Sequence, residues 1–218
     1  MENFHVAEAF ALTKKKNLSI FEKIKVELFK VLRKRTIECV LATDMALHSK
    51  HIGQISSKLD YFSQAPEGTS FIQFFTDEKN NYSKFDLQQE FMNFILHVAD
   101  VAHPAKTWEI EVKWSNLIFQ EFFNQGDKEK SMNLPVSFLC DRETTLIPKS
   151  QVGFIKNIIM PTFNLVNALL PNTEILMNYI NQNLDKWNEE DLLEIKKKEE
   201  VQKKQEIKIA IEEDDRIN

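Results

Sequence analysis

The stretch HPAKTWEIEVKWSNLIFQEFFNQG, residues 103–126, carries the clearest statement about the fold. Pro104 suits the first position of a helix, where its missing N–H would be unpaired anyway, and His103 before it takes the cap. Ile110, Trp114, Leu117, Ile118 and Phe122 recur at three- and four-residue intervals and line one helical face. Gly126 marks the expected end, since glycine is favoured just past a helix.

Upstream, Phe91, Phe94, Ile95 and Val98 place another helix from near Asp86 towards Asp100. Residues 6–39 read as helix broken once. Phe21, Ile24, Leu28 and Leu32 form its apolar face, and Asn17 or Ser19 caps the second piece. Residues 60–85 are the least regular part, with Pro66–Thr69 and Asp77–Ser83 as loops, and read as an insertion or variable connection. Downstream, residues 127–147 are polar and loop-like. Ser150 is the expected cap of a helix with Phe154, Ile158 and Phe163 as core positions, which Pro161 kinks or bounds. A last apolar helix covers 173–187. Beyond 189, the pairs Glu194/Lys198, Glu199/Lys203 and Glu200/Lys204 put the acid four residues before the base, which supports a solvated helical tail.

Composition agrees. Only 4 Gly and 6 Pro in 218 residues leave few tight turns for a strand-rich sandwich or barrel. Hydrophobic residues make up 43%, and 17 Phe against 3 Tyr suits large apolar side chains filling space between helices. The expected class is all-α, a compact multi-helix bundle. The net charge of −5 lies mostly in residues 189–218, which hold 11 acidic and 7 basic side chains. With no basic surface, nucleic acid is excluded as the expected partner. Cys39 and Cys140 sit in apolar surroundings and read as free thiols of a reducing compartment. No unbroken apolar run approaches the ~20 residues of a membrane span, so a cytoplasmic protein is expected.

Four segments stand out, in order: Leu41-Ala42-Thr43-Asp44-Met45 followed by His48; His97-Val98-Ala99-Asp100-Val101-Ala102-His103-Pro104-Ala105-Lys106; Glu121-Phe122-Phe123-Asn124-Gln125-Gly126-Asp127-Lys128-Glu129; and Lys149-Ser150-Gln151-Val152-Gly153-Phe154-Ile155, preceded by Cys140-Asp141-Arg142. Together they resemble class I 3′,5′-cyclic nucleotide phosphodiesterases. The resemblance covers about residues 1–188 and leaves 189–218 as a charged tail. Glu2-Asn3-Phe4-His5 resembles a degraded form of the family's Glu-Asn-His-His. The His-Pro-Ala-Lys wording, with Trp108 and Trp114, is similar to the calcium–calmodulin-stimulated branch.

The resemblance implies the C-terminal part of an all-α, HD-type catalytic domain that hydrolyses cAMP or cGMP with two divalent ions, Zn and Mg. Asp100 would be a metal ligand, and Glu2 and Thr43 would hold metal-bound waters. Read without the resemblance, Asp100 binds backbone amides, Thr43 is a turn hydroxyl and Glu2 lies at a frayed end. Gln151 would read the purine edge with its amide, Phe154 would stack on the base and Ile118 would close the other side. His103 would contact the base or cap the helix, while Met45, Val101 and Phe122 would line the pocket. For Phe154, Ile118, Met45 and Val101 core packing is the alternative. His48 and His51 form an i,i+3 pair of the kind usually found as surface or capping residues.

The family's earlier His-Asn-x-x-His and His-Asp motifs, which bring the general acid and the other metal ligands, have no counterpart among these 218 residues. One carboxylate cannot hold two divalent ions with useful affinity. Three readings stay open: a piece of an active phosphodiesterase, a truncated non-catalytic paralogue acting as an interaction or scaffold protein, and a domain completed by a second chain. An exposed apolar face or the charged tail is where a protein partner would dock.

Overall fold

The computed structural model describes residues 1–77, 80, 82–170 and 172–217, with side chains as far as residue 197. The described elements are α1 (Glu2–Leu12), α2 (Val26–Leu41), a 3-10 turn (Met45–Leu47), α3 (His48–Phe62), α4 (Phe71–Thr76), α5 (Lys84–Asp100), a 3-10 turn (His103–Ala105), α6 (Trp108–Ser131), α7 (Ile147–Phe154), a π turn (Ile155–Ile159), α8 (Met160–Leu169) and α9 (Glu174–Ile217). No strand occurs among the described residues, so the all-α expectation holds. The chain divides into two compact units, Met1–Ala102 with Thr162–Asn172, and His103–Pro161 with Thr173–Asn218.

In the first unit α2 packs on α1 and α5, and α5 also on α3 and α4. Local chemistry sets the helix starts: the Ser70 and Ser83 hydroxyls accept from the Gln73 and Asp86 amides at 3.2 and 3.4 Å, capping α4 and α5. Asn17 and Ser19 do not cap α2, whose N-cap is Lys25; Asn17 instead takes a left-handed turn conformation, φ 71°. The irregular 60–85 region contains α4, missed because six residues are too few to show a period. Its Phe71 ring lies 4.9, 4.8 and 5.0 Å from those of Phe62, Phe75 and Phe91. Phe75 is buried with Ile55, Leu87, Phe94 and Phe163. An apolar groove of about 760 Å³ lies beside this cluster, between Leu59, Phe91 and Leu169.

In the second unit α9 packs on α7 and on the His103–Ala105 turn. Buried Asn183 holds that turn by donating its amide to the Pro104 and Lys106 carbonyls at 2.9 and 2.8 Å. The expected helix start at His103 is corrected, because α6 begins at Trp108 with Thr107 as its N-cap. Gly126 does not end α6 either. It sits inside the helix, where a Cβ would stand 1.9 Å from the Cys140 carbonyl oxygen, so glycine is needed there for close approach.

The buried face of α6 is also rotated from the expected one. Ile110, Trp114 and Leu117 are exposed, whereas Glu111, Ser115, Phe119 and Gly126 are buried. The helix is apolar on two faces, and periodicity alone does not say which turns inward. Ser150 lies within α7 and returns its hydroxyl to the Leu146 carbonyl at 2.7 Å rather than capping the helix.

Pro161 has no N–H, and its ring would crowd the carbonyl of Asn157. The wider π turn just before it absorbs that conflict, and the two units part at this proline. The helical stretch Ile147–Leu169, 23 residues with mean hydropathy 1.2, is long and apolar enough to cross a membrane by length and composition. A core helix passes the same test, and Ile155, Ile159, Phe163 and Val166 are buried. Of the expected tail pairs Glu194/Lys198, Glu199/Lys203 and Glu200/Lys204, every member but Glu194 lies outside the described side chains.

Candidate functional site

The residues implied by the resemblance divide between the two units. His103, Ile118, Phe122, Gln151 and Phe154 belong to the second; Glu2, Thr43, Met45, Asp100 and Val101 belong to the first.

In the second unit the His103 ring lies nearly parallel to that of Phe154, 5.8 Å apart at 11°. Its Nδ1 is 2.6 Å from Glu111 Oε2. Glu111 is fully buried, and its other oxygen accepts from Trp187 Nε1 at 2.8 Å and from the Ser115 hydroxyl at 3.3 Å. Every contact made to the two oxygens of this side chain can come from a donor: an imidazole N–H, an indole N–H and a hydroxyl. His103 is therefore neither a helix cap nor a free ring: it is held at one nitrogen and stacked on one face.

Gln151 is 4% exposed, and its Oε1 is buried with no hydrogen-bond partner among the described residues. Such an orphan is rare, and it marks a place where an outside donor would fit. Ile118 and Phe122 are half-buried on α6, with Phe122 edge-on to Phe119 at 5.8 Å. A cavity of about 830 Å³ runs along α7 and includes Phe154, Gly153 and Ser150 with loop residues such as Phe138 and Leu146. Its lining includes none of Gln151, His103, Ile118 or Phe122. The loop is fastened to α6 by Arg142 on Asp127, by Lys130 on Asp141 at 2.8 Å and by Glu129 accepting from the Ser137 amide and hydroxyl at 2.7 Å each. These partners hold the Asp127, Asp141 and Glu129 carboxyls below the usual carboxylate range.

In the first unit Asp100 is the last residue of α5 and is exposed. Its carboxylate makes no hydrogen bond or ion pair among the described residues, so the backbone-amide alternative is not what the fold builds. The Thr43 hydroxyl donates to the Val40 carbonyl at 2.8 Å, the turn role, and Met45 is 44% exposed. Val101 is half-buried just beyond α5. Glu2 lies in the first turn of α1 with its carboxylate 3.1 Å from the amino terminus; its own backbone amide and the terminal ammonium hold its pKa low.

His48 is the C-cap of the Met45–Leu47 turn but is buried, and His51 is half-buried, so neither is a surface residue. His97 Nδ1 faces the Ala42 carbonyl at 3.0 Å and must donate to it, so in the neutral ring Nε2 accepts from His48 Nδ1 at 2.9 Å. The His51 ring lies 5.8 Å from that of His97. Burial pushes all three imidazoles below the ordinary histidine range. No group of three or more His, Cys, Asp or Glu able to hold a metal occurs among the described residues.

Periodicity reading missed Glu111, Ser115 and Trp187. Glu111, Ser115 and Phe119 recur every four residues in phase with Gly126, and this register would have identified the buried face. A carboxylate on it signals a paired, structured site.

Residues 1–180 match the family model described as 3′5′-cyclic nucleotide phosphodiesterase. The dual specificity calcium/calmodulin-dependent 3′,5′-cyclic nucleotide phosphodiesterase 1B of Bos taurus is 32% identical over 166 residues, 76% of this chain and 27% of that protein. The corresponding 1C protein of Mus musculus is 33% identical over 170 residues, 78% of this chain and 21% of that one. The crystal structure of the phosphodiesterase domain of Salpingoeca rosetta rhodopsin phosphodiesterase superposes with a TM-score of 0.77 at 26% identity, over 92% of this chain and 57% of that chain. The chain thus spans about a quarter of the length of these curated relatives.

Proposed function

This chain belongs to the 3′5′-cyclic nucleotide phosphodiesterase family, and from that premise we propose that its second unit is the purine-binding wall of a cyclic nucleotide site. One observation carries the reading: the buried Gln151 amide has an unpaired oxygen on the same helix as Phe154, whose ring is stacked against His103. An amide edge beside flat aromatic surfaces suits a nucleobase, whose rim is polar and whose faces are not. Residues 1–188 are the shared domain portion in this reading and 189–218 an appended charged helix, in keeping with a family match that ends at residue 180. Two free buried cysteines support a reducing, cytoplasmic setting.

The residues present do not fit a two-metal site. Asp100 is exposed and alone, and no convergent ligand set accompanies it among the described residues. No hydrolytic step is derived from this stretch by itself; cleavage of cAMP or cGMP would need Zn and Mg ligands from further polypeptide. The exposed apolar side chains Ile110, Trp114 and Leu117 on α6 favour a second reading beside the first, in which another helical segment or protein partner packs on that face.

Calorimetric titration of the 218-residue chain with cAMP and cGMP tests the proposal. At least one nucleotide should bind, with Q151A and F154A each weakening it about tenfold, the loss expected for one good contact. With Mg and Zn added, the chain should turn over neither nucleotide. Absence of binding sinks the pocket reading; turnover lost on Asp100→Ala sinks the claim that this stretch does not catalyse.

A further inference from the structure

We propose that the loop after α1 and the outer face of α2 form a docking surface for an anionic lipid bilayer. The surface stands apart from the nucleotide pocket and shares no residue with it. The whole chain has a net charge of −5, but from Lys14 to Arg35 it carries nine basic and two acidic side chains. The expectation of no basic surface holds for the average and fails for this stretch. Lys14, Lys15 and Lys16 follow one another at the start of the loop, and all three are exposed. On α2, Val26, Lys30, Arg33 and Lys34 recur at helical spacing and share one exposed face. Among the described residues, Lys34 alone of the nine basic groups reaches a carboxylate, Glu38 at 3.8 Å, while Arg35 turns to the neutral Gln88 and Gln89 amides.

Charge alone would suit any polyanion. The apolar side chains that protrude among the lysines select a lipid surface: Leu18 is 50% exposed, Ile20 77% and Val26 62%. The fold turns Phe21 inward instead. Its ring lies 6.2 Å from that of Phe10 on α1 and 5.3 Å from that of Phe29 on α2, and the Arg33 guanidinium covers Phe10 at 5.3 Å. Phe21 thus pins the loop to both helices, and Leu18 and Ile20 stay outside. Lysines around a few protruding apolar side chains match a bilayer interface, where ammonium groups meet anionic headgroups and apolar tips enter the acyl boundary. Nucleic acid phosphates would satisfy the lysines but offer nothing to Leu18 or Ile20. A protein that wraps a basic amphipathic helix would need α2 free, and α2 is packed on α1 and α5. The anionic leaflet is the cytoplasmic one, the setting proposed above.

Co-sedimentation of the 218-residue chain with lipid vesicles tests the proposal. The probes are phosphatidylcholine vesicles with and without about a third phosphatidylserine. The chain should pellet with the anionic vesicles only. Raising the salt from about 0.1 M to about 0.5 M should release it, since exposed charges are screened. Lys15→Gln with Lys16→Gln should weaken binding about thirtyfold, at roughly fivefold for each lysine lost from an anionic surface. Leu18→Ser with Ile20→Ser should weaken it about tenfold through lost apolar burial, with the salt dependence kept.

Lys113→Gln with Lys128→Gln is the control: it removes the same charge from exposed positions of α6 and should bind as the wild type does. Every altered side chain is exposed, so circular dichroism and Tm should match wild type; if one loop pair unfolds, the other still decides. Equal binding to both vesicle types, or binding to neither, overturns the proposal. Wild-type affinity in either loop pair, once shown folded, does so too. So does a loss in K113Q/K128Q equal to that in K15Q/K16Q, because net charge rather than this surface would then govern binding. Tighter binding to a short DNA duplex than to the anionic vesicles, unchanged in L18S/I20S, would assign the patch to nucleic acid instead. Nucleotide titration reads a separate surface, so failure of either proposal leaves the other standing.

Discussion

In the Met1–Ala102 unit the buried His48 of α3 and His97 of α5 form a hydrogen-bonded pair of imidazole rings. His48 donates to His97 and His97 donates to the Ala42 carbonyl, while a cluster of phenylalanines on α4, α5 and the far end of α3 supplies apolar packing elsewhere in the unit. In the unit built on α6, α7 and α9 the buried polar centre is a carboxylate, Glu111, that collects donors from an indole, a hydroxyl and an imidazole. His48 with His97, and Glu111 with its donors, are paired, although His51 Nε2 is buried without a partner among the described residues; the two centres fail in different ways. A neutral imidazole chain breaks when a proton is added. A carboxylate hub breaks when its acceptor is removed, because several buried donors lose their partner together.

The largest effect should come from deleting the hub. Glu111→Ala strands the Trp187 N–H and the His103 Nδ1–H away from water, and loss of one side of a buried charged cluster costs about 3–5 kcal/mol. Urea unfolding monitored by tryptophan fluorescence measures it. A cost under about 1 kcal/mol would mean that water replaces the carboxylate, and the contrast between the units would lose its basis.

A smaller loss is expected from Gly126→Ala. The new methyl would stand 1.9 Å from the Cys140 carbonyl oxygen, and that contact is backbone, so helix and loop must move apart. Overpacking of this kind costs about 1–3 kcal/mol. Leu139 beside it is already in the left-handed region, φ 64°, which leaves the loop little freedom to give way. A Tm equal to wild type would show that the approach of Cys140 to α6 is looser than described.

The pH response should be the gentlest and should belong to the first unit. His48, His51 and His97 have folded pKa values depressed by burial. Their contribution is complete above the unfolded value of about 6.5. It falls as pH drops towards the folded values, because the unfolded chain then binds more protons than the native one. Urea midpoints taken from pH 7.5 to pH 5 should decline, and His97→Gln should flatten the slope. A slope that persists in H97Q and vanishes in E111Q would assign the acid response to the wrong unit.

Much of this was legible in the chain. The all-α class followed from few glycines and prolines and from three- and four-residue apolar spacing. The residues of the proposed pocket rest on wording such as Lys149-Ser150-Gln151-Val152-Gly153-Phe154-Ile155, which resembles a known family. Glu111 was hidden because a glutamate amid Lys113 and Glu109 reads as part of a solvated face. His97 was hidden because its partners, Ala42 and His48, lie 55 and 49 residues away. The exposed side of α6 was mistaken for the buried one because tryptophan, isoleucine and leucine there outweigh the smaller residues that pack inside.

The sequence by itself determined which segments coil, since helix formation depends on neighbours within four positions. It also set the chemical inventory, including the Gln151 amide, the Asp100 carboxylate and the rings of His103 and Phe154. Which face of each helix turns inward, which glycine is a stop and which a close approach, and which histidine nitrogen carries its proton were decided only by tertiary structure. Those outcomes depend on partners far along the chain, and no local period records a contact between residues 103, 111 and 187.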